Sequence, residues 1–177
     1  MTKRQRNVLL LPVFLMWLAG IAAGPAQPAY GAPGEQAIEE DLFIVATADT
    51  YAKSEELTNF LDKKAVTYKH IEPSMFDVYR AAATIVVVAG MDERSEIVDI
   101  VGHGLSQPEE MEWLAEPGNS AIYARDDVWT ESQKVMIIAG ATSWDAADAL
   151  TYYRNQWLAD LATWLEIKLT REEVYSY

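Results

Sequence analysis

Three short apolar segments, rich in β-branched residues, constrain the fold of this chain more than any other feature. They are Leu42 to Ala46 (LFIVA), Thr84 to Ala89 (TIVVVA) and Val135 to Ala139 (VMIIA). Apolar runs of this length are typical of strands buried on both faces, which occur in parallel sheets covered by helices. Amphipathic segments at helical spacing separate them. The alternation predicts a three-layer α/β fold, with a mostly parallel sheet of four to five strands and helices on both faces.

Weaker patterns complete the predicted elements. Short strands are predicted over residues 65–71 and 121–124. Helices are predicted over residues 51–64, 75–83, 92–101 and 109–115, and from Thr142 or Ser143 to Ile167. Gly102 and Gly104 are expected to end the third of these helices. The endings Ala89-Gly90 and Ala139-Gly140 follow similar segments. This repetition indicates two strand-to-helix units of one sheet, with an internal duplication as the alternative.

The first 31 residues are typical of a secretory signal peptide. Lys3, Arg4 and Arg6 precede an apolar segment from Val8 to Ala23, and a stretch of small residues and prolines follows. These are the three parts that the export machinery recognises. The sequence therefore predicts an extracytoplasmic protein, secreted or at the cell surface, with no membrane span after cleavage.

The small residues Ala29 and Gly31 favour cleavage after Gly31, and cleavage after Ala26 is an alternative. Residues 32–40 are then a linker, and 41–177 are a single α/β domain. An uncleaved anchor is the competing interpretation. The apolar segment is shorter than the roughly 20 residues of a typical spanning helix, and it contains Pro12.

Composition excludes several classes of partner and site. The 177 residues include 14 basic and 27 acidic side chains, a net charge of −13, which repels nucleic acids and anionic membranes. The absence of cysteine excludes disulfides and thiolate metal sites. Carboxylates suit calcium, and Asp126 and Asp127 are the candidate ligands, although no D-x-D-x-D-G loop is present. No other cofactor is expected.

His103 is the candidate catalytic residue, because the flanking Gly102 and Gly104 favour an exposed imidazole. The chain has neither the G-x-S-x-G motif of serine hydrolases nor the H-E-x-x-H motif of zinc enzymes. His70 falls within a predicted strand, which favours a structural role. A small secreted hydrolase is therefore the third of three functional hypotheses.

Polar and aromatic residues follow the predicted strands at their carboxyl ends, where ligands collect in α/β sheets. The candidate ligand-binding residues are Thr47, Asp49, Asp92, Thr142, Ser143 and Trp144. An exposed tryptophan at this edge can stack on a sugar ring or pack against a partner. The second hypothesis is therefore an exported small-molecule or carbohydrate-binding module.

Residues 84–150 resemble a module of archaeal surface-layer (S-layer) proteins. The matching stretches are TIVVVAGMDERSEIVDIVG and KVMIIAGATSWDAADAL, each a strand that ends in glycine before a helix. Gly90-Met91-Asp92 stands where that family usually has a Gly-Gly-Pro turn. The resemblance implies a non-enzymatic secreted or cell-surface domain with a structural or interaction role, which is the leading hypothesis. Its partner would be a protein or a cell-envelope component, and a homo-oligomer is a further option.

Overall fold

One mixed five-stranded sheet forms the centre of the domain. The structure is a computed structural model that describes residues 40–175. The strands are β1 (Leu42–Val45), β2 (Tyr68–Ile71), β3 (Thr84–Gly90), β4 (Ser120–Asp126) and β5 (Lys134–Gly140). Their order across the sheet is β2-β1-β3-β5-β4. All neighbours are parallel except β4 and β5, which are antiparallel. The predicted mostly parallel sheet is confirmed.

Helices cover both faces of the sheet and complete a three-layer α/β fold. They are α1 (Ala48–Lys53), α2 (Glu55–Lys63), α3 (Phe76–Tyr79), α4 (Ser95–Gly104), α5 (Pro108–Leu114), α6 (Ser143–Tyr152), α7 (Arg154–Trp164) and α8 (Arg171–Tyr175), with a 3-10 helix at Pro73–Met75. Helices α2, α6 and α7 pack on one face. Helices α3, α4 and α5 pack on the other. Within residues 40–175, no helix has the length and apolarity needed to cross a membrane.

The continuous apolar runs are explained by burial on both sides of the sheet. In β1, Leu42 and Ile44 belong to one apolar core, and Phe43 and Val45 belong to the other. Every residue of β3 is buried. Because successive strand side chains point to opposite faces, a strand covered on both sides has no polar alternation.

The two similar segments of the sequence lie side by side. Strands β3 and β5 pair in parallel from Thr84 opposite Lys134 to Gly90 opposite Gly140. The two glycines therefore end adjacent strands at the same level of the sheet. This arrangement matches two strand-to-helix units of one sheet.

Two predicted helices are divided in the structure. The predicted helix over 51–64 is interrupted at Ser54, whose hydroxyl donates to the Thr50 carbonyl at 2.8 Å and competes with the helical pattern. The predicted helix ending at Ile167 is divided at Tyr153 into α6 and α7. Trp157 Nε1 donates to the Leu150 carbonyl at 2.7 Å, so a carbonyl near the end of α6 gains a side-chain partner.

The prediction that Gly102 and Gly104 end a helix is confirmed for Gly104 and wrong for Gly102, which lies inside the helix. Helix α4 begins at Ser95 and continues to Gly104. A Cβ atom at Gly104 would collide with the Ile137 side chain, so the missing side chain allows α4 to pack closely on the sheet. Gly104 therefore has a packing role as well as its place at the end of α4.

Other element boundaries also differ from the predictions. The strand predicted over 65–71 begins only at Tyr68, because Ala65 has a φ of +55° and is not extended. The short helix predicted over 75–83 is a 3-10 turn followed by the four residues of α3. Strand β4 is longer than predicted. Helix α8 falls in a segment for which no element was predicted. The predicted signal peptide and residues 32–39 of the linker lie outside the described residues.

The outer edge of β4 is identified by its hydrogen-bonding pattern. Ala141 N donates to Asn119 O at 2.9 Å, and Asp127 N donates to Gln133 O at 3.0 Å. Both pairs continue the β4–β5 register. Hydrogen-bonded pairs alternate in an antiparallel ladder. The odd-numbered residues of β4 therefore bond to β5, and the even-numbered residues direct their backbone groups outward.

Side chains cover the outward carbonyls of β4. Tyr153 Oη donates to the Ser120 carbonyl at 3.2 Å, and Gln156 Nε2 donates to the Ile122 carbonyl at 3.3 Å. The guanidinium of Arg125 donates to the Ala124 carbonyl at 3.2 Å. Exposed edge strands are sites of unwanted pairing between molecules. We infer that these side chains oppose edge-to-edge association.

Removing two of these side chains should promote self-association. In the variant Tyr153→Phe with Gln156→Ala, two outward carbonyls lose their donors, at a cost of about 1–2 kcal/mol in unfolding free energy. Sedimentation velocity over a concentration series should show a dimer or larger species. The control Tyr152→Phe changes a neighbouring tyrosine that is 81% exposed. Identical sedimentation of the two variants would contradict the edge-covering role.

The described C-terminal segment is held by a buried carboxylate. The Glu173 side chain is 4% exposed and forms ion pairs with Lys63 at 3.0 Å and Lys64 at 2.8 Å. It also accepts a hydrogen bond from Thr170 N at 2.7 Å. The Lys64 ammonium, the Thr170 amide and the Lys63 ammonium together hold the pKa of Glu173 far below its ordinary value of 4.5.

The ion pairs of Glu173 should make the stability of the fold depend on pH in the acid range. A carboxylate with a lowered folded-state pKa stabilises the fold above its ordinary pKa, and this stabilisation is lost as the pH falls towards the folded-state value. We expect Glu173→Gln to lower the unfolding free energy at neutral pH, and the difference from the parent to shrink below about pH 4.5. Urea denaturation at a series of pH values measures the unfolding free energies of the variant and the parent. A difference in unfolding free energy that does not change with pH would contradict a stabilising role for the ionised Glu173 carboxylate.

Candidate functional site

The connections of the sheet change direction between β1 and β3. From β1 the chain passes to β2 on one side, and from β2 it returns to β3 on the other side of β1. Helices α2 and α4, which follow β1 and β3, lie on opposite faces of the sheet. Such a reversal leaves a crevice beyond the carboxyl ends of the strands, where ligands of α/β proteins bind.

A polar cleft of about 590 Å³ occupies this position. Segments that follow three strands line it, with Thr47 to Asp49 after β1, Glu72 and Ser74 after β2, and Glu93 and Arg94 after β3. Its volume lies within the range of small-molecule sites. We call it the switch-point cleft.

The Glu93 carboxylate fastens one wall of the switch-point cleft to another. Its Oε1 accepts hydrogen bonds from the hydroxyls of Thr47 and Thr50, both at 2.5 Å. Its Oε2 accepts from the Gly90 amide at 2.9 Å. Thr50 is fully buried. The carboxylate thus joins the start of α1 to the end of β3 through three bonds, which fix this wall of the cleft.

Lys53 fastens α1 to α6 at the same edge of the sheet. Its ammonium forms an ion pair with Asp49 and donates to Ser143 Oγ at 2.9 Å. Ser143 Oγ donates to Asp49 Oδ2 at 3.2 Å. The hydrogen bonds from Lys53 and Ser143 lower the pKa of Asp49, although desolvation partly opposes the shift. The three side chains bridge the two helices above the end of β3.

Ser143 and Lys53 are close together, but their hydrogen bonds are not those of a nucleophile and its general base. Ser143 is only 8% exposed, and its hydroxyl proton is directed to Asp49. The Lys53 side chain donates to both Asp49 and Ser143, so it is placed as a donor to the serine oxygen. A general base must accept the serine proton. The arrangement acts as a clamp between α1 and α6.

Trp144 stands at the rim of this edge. It is 66% exposed, and the Lys53 ammonium lies 4.8 Å from the centroid of its ring. The turn that carries Trp144 is fixed by a capping box, in which the flanking Thr142 and Asp145 exchange side-chain and backbone hydrogen bonds. The indole is therefore presented at a defined place in the first turn of α6.

The structure brings most of the predicted ligand-binding residues together. Thr47 and Asp49 line the switch-point cleft, while Ser143 and Trp144 adjoin Asp49 through Lys53. The other two predicted residues have structural partners. The Thr142 hydroxyl caps α6. The exposed Asp92 donates its amide to the Ala141 carbonyl at 3.2 Å, which ties the ends of β3 and β5 together.

Sequence reasoning missed Lys53, Glu72, Ser74, Glu93 and Arg94. Two of them carried usable signals. Lys53 is four residues after Asp49, the spacing of a helical ion pair. Glu93 is three residues after Gly90, so a carboxylate there can reach back to the amide that ends the strand. The roles of Glu72 and Ser74 depend on which strands are neighbours, which the sequence does not specify.

His103 lies apart from the switch-point cleft. It is exposed on α4, and its Nδ1 donates to the Asp99 carbonyl at 2.9 Å. It lines a cavity of about 220 Å³, shared with Asp77, Asp99 and Trp129 among others. The described residues lining that cavity include two carboxylates but no hydroxyl group. A catalytic role for His103 stays a prediction.

Asp126 and Asp127 each have a partner in the structure. Asp126 forms an ion pair with Lys134 at 2.8 Å. Asp127 has a φ of +58°, and its carboxylate accepts from the Ser132 amide at 2.5 Å, which shapes the loop between β4 and β5. In the part of the chain that the structure describes, no three side chains form a group that could hold a metal ion. Calcium binding stays a prediction.

Comparison of the chain with protein-family models, with curated proteins and with solved structures gives no match.

Removing the Glu93 carboxylate should destabilise the fold. In Glu93→Ala, the buried Thr50 hydroxyl and the Gly90 amide lose their acceptor, and we expect a loss of about 2 kcal/mol in unfolding free energy. Chemical denaturation followed by circular dichroism measures it. Glu96→Ala is a suitable control, because Glu96 is exposed on the first turn of α4. Equal losses in both variants would exclude a fastening role for Glu93.

Proposed function

We propose that this domain is a non-catalytic binding module whose ligand site is the switch-point cleft. The observation that carries the proposal is the junction of the segment after β1 with the end of β3 by the Glu93 carboxylate. Side chains held in place before binding lose little conformational entropy when a ligand arrives, and this favours affinity. Of the three functional hypotheses drawn from the sequence, this proposal corresponds to the small-molecule or carbohydrate-binding module.

The charge of the cleft lining restricts the class of ligand. Asp49, Glu72 and Glu93 contribute carboxylates, whereas Arg94 is the one cation among the described lining residues. An anionic ligand would be repelled by this lining. The apolar contribution is small, because Ala48 is the one apolar side chain among the described lining residues. A small neutral ligand rich in hydroxyl groups fits best, since hydroxyls donate to carboxylates and accept from Arg94 and Ser74.

The surface-layer-like structural role is the second candidate. It is supported by exposed apolar side chains beside the cleft, since Met75 is 50% and Val78 is 67% exposed. Both are close in sequence to Ser74, which lines the cleft. Exposed apolar groups of this kind are common at protein interfaces. Binding of a glycan at the cell surface is compatible with such a role.

A ligand panel tests the binding proposal. Thermal-shift and calorimetric titrations of the purified protein should show stabilisation by neutral sugars or polyols and none by matched sugar acids or sugar phosphates. A ligand at about 100 times its Kd stabilises the folded state by about 2.7 kcal/mol. Glu72→Gln and Ser74→Ala should weaken binding, because they remove an acceptor charge and a hydroxyl from the lining.

Glu131→Gln is the matched control for these variants. Glu131 is exposed in the loop before β5, at the opposite edge of the sheet. Its substitution changes the net charge by the same amount as Glu72→Gln but leaves the cleft intact. A flat response to the neutral panel, or equal binding by the Glu72→Gln, Ser74→Ala and Glu131→Gln variants, would refute the proposal.

A further inference from the structure

Trp144 is a large aromatic side chain with an unusual degree of exposure. It is 66% exposed in the first turn of α6, at the edge of the sheet where the switch-point cleft opens. Trp157 is fully buried by contrast. An exposed indole of this kind is typical of a surface that meets a ligand or a partner.

The indole is held in position by the clamp beneath it. The Lys53 ammonium lies 4.8 Å from the ring centroid and is ion-paired with Asp49. A cation over an aromatic face is attracted by the negative charge density of that face. The Lys53 side chain is only 14% exposed, while that of Asp49 is 70% exposed. The Trp144 indole and the accessible Asp49 carboxylate are therefore neighbours, because both contact the Lys53 ammonium.

An aromatic ring beside an exposed carboxylate is complementary to a pyranose sugar. The C–H groups on one face of a pyranose ring are apolar and stack on an indole. The hydroxyl groups around the ring edge donate to a carboxylate such as Asp49. We propose that Trp144 is the stacking platform for a pyranose, with Asp49 as an acceptor for its hydroxyls. This inference rests on the proposed function and extends the switch-point cleft to the rim of α6.

A protein partner is the competing occupant of Trp144. Interfaces usually surround an aromatic anchor with further apolar contacts that exclude water. The exposed residues of the same helix nearest to Trp144 are polar or acidic, with Asp148 one turn away. Asp49 is the exposed neighbour across from it. A hydroxyl-rich ligand suits these surroundings better than an apolar protein surface.

Calorimetric titration of methyl pyranosides into the purified protein tests this inference. We expect Trp144→Ala to weaken the Kd about tenfold, which corresponds to the free energy of one aromatic stacking contact. Trp144→Phe should retain part of the affinity. Trp113→Ala is the control, because Trp113 is 43% exposed on α5, on the other side of the sheet. Binding should also shift the fluorescence of the protein, and this shift should be absent from Trp144→Phe.

The outcomes separate this inference from the proposed function. Acyclic polyols lack a ring face, so their binding should depend on Glu72 and Ser74 but not on Trp144. If Trp144→Ala leaves pyranoside affinity unchanged while Glu72→Gln weakens it, the stacking inference fails and the cleft remains the site. If Trp144→Ala abolishes association with a protein component of the envelope but sugars do not bind, both proposals fail. Loss of pyranoside affinity in Trp144→Ala alone, with Trp113→Ala unchanged, supports the inference.

Discussion

The close approach of α6 to the ends of β3 and β5 is the constraint on which the rest of this edge depends. A Cβ atom at Gly140 would lie 2.5 Å from the Ala146 amide nitrogen and 2.6 Å from the Asp145 carbonyl carbon. A Cβ atom at Gly90 would lie 2.7 Å from the Thr142 carbonyl carbon. Such separations do not occur in folded proteins, so larger residues at either position would displace the helix.

The position of α6 determines which part of the carboxyl edge is closed and which is open. With α6 seated on the glycines, Ser143 reaches the Lys53–Asp49 pair of α1 and closes the edge above β3. On the other side of α1, Glu93 holds the wall of the cleft instead of filling it. The switch-point cleft therefore stays open between these two fastenings, and Trp144 lies beside Lys53, the partner of the cleft residue Asp49.

The fold class followed from the sequence, because burial on both faces imposes a pattern that local residues record. Strand β3 is apolar throughout, and its segment could be assigned without knowledge of its neighbours. Helix ends were less predictable. Gly102 was expected to help end α4 but lies inside it, and the close approach of Gly104 to Ile137 depends on tertiary packing. At the break at Tyr153, Trp157 bonds to the Leu150 carbonyl across the junction, a contact that the helical pattern of the sequence does not indicate. Thr47 and Asp49 of the candidate site were predicted, because they directly follow the apolar segment of β1. Ser74 and Glu93 were missed, because the order of the strands brings them together in the cleft lining.

The carboxyl ends of β1, β2 and β3 are the ligand site that we propose for this domain. Backbone amide chemical shifts, mapped during titration with a methyl pyranoside, report binding residue by residue. We expect the largest changes at Thr47, Asp49, Ser74 and Arg94, with a separate change at the Trp144 indole. Changes confined to the opposite edge of the sheet, around Ala65 and Glu166, or no changes at saturating sugar, would contradict it.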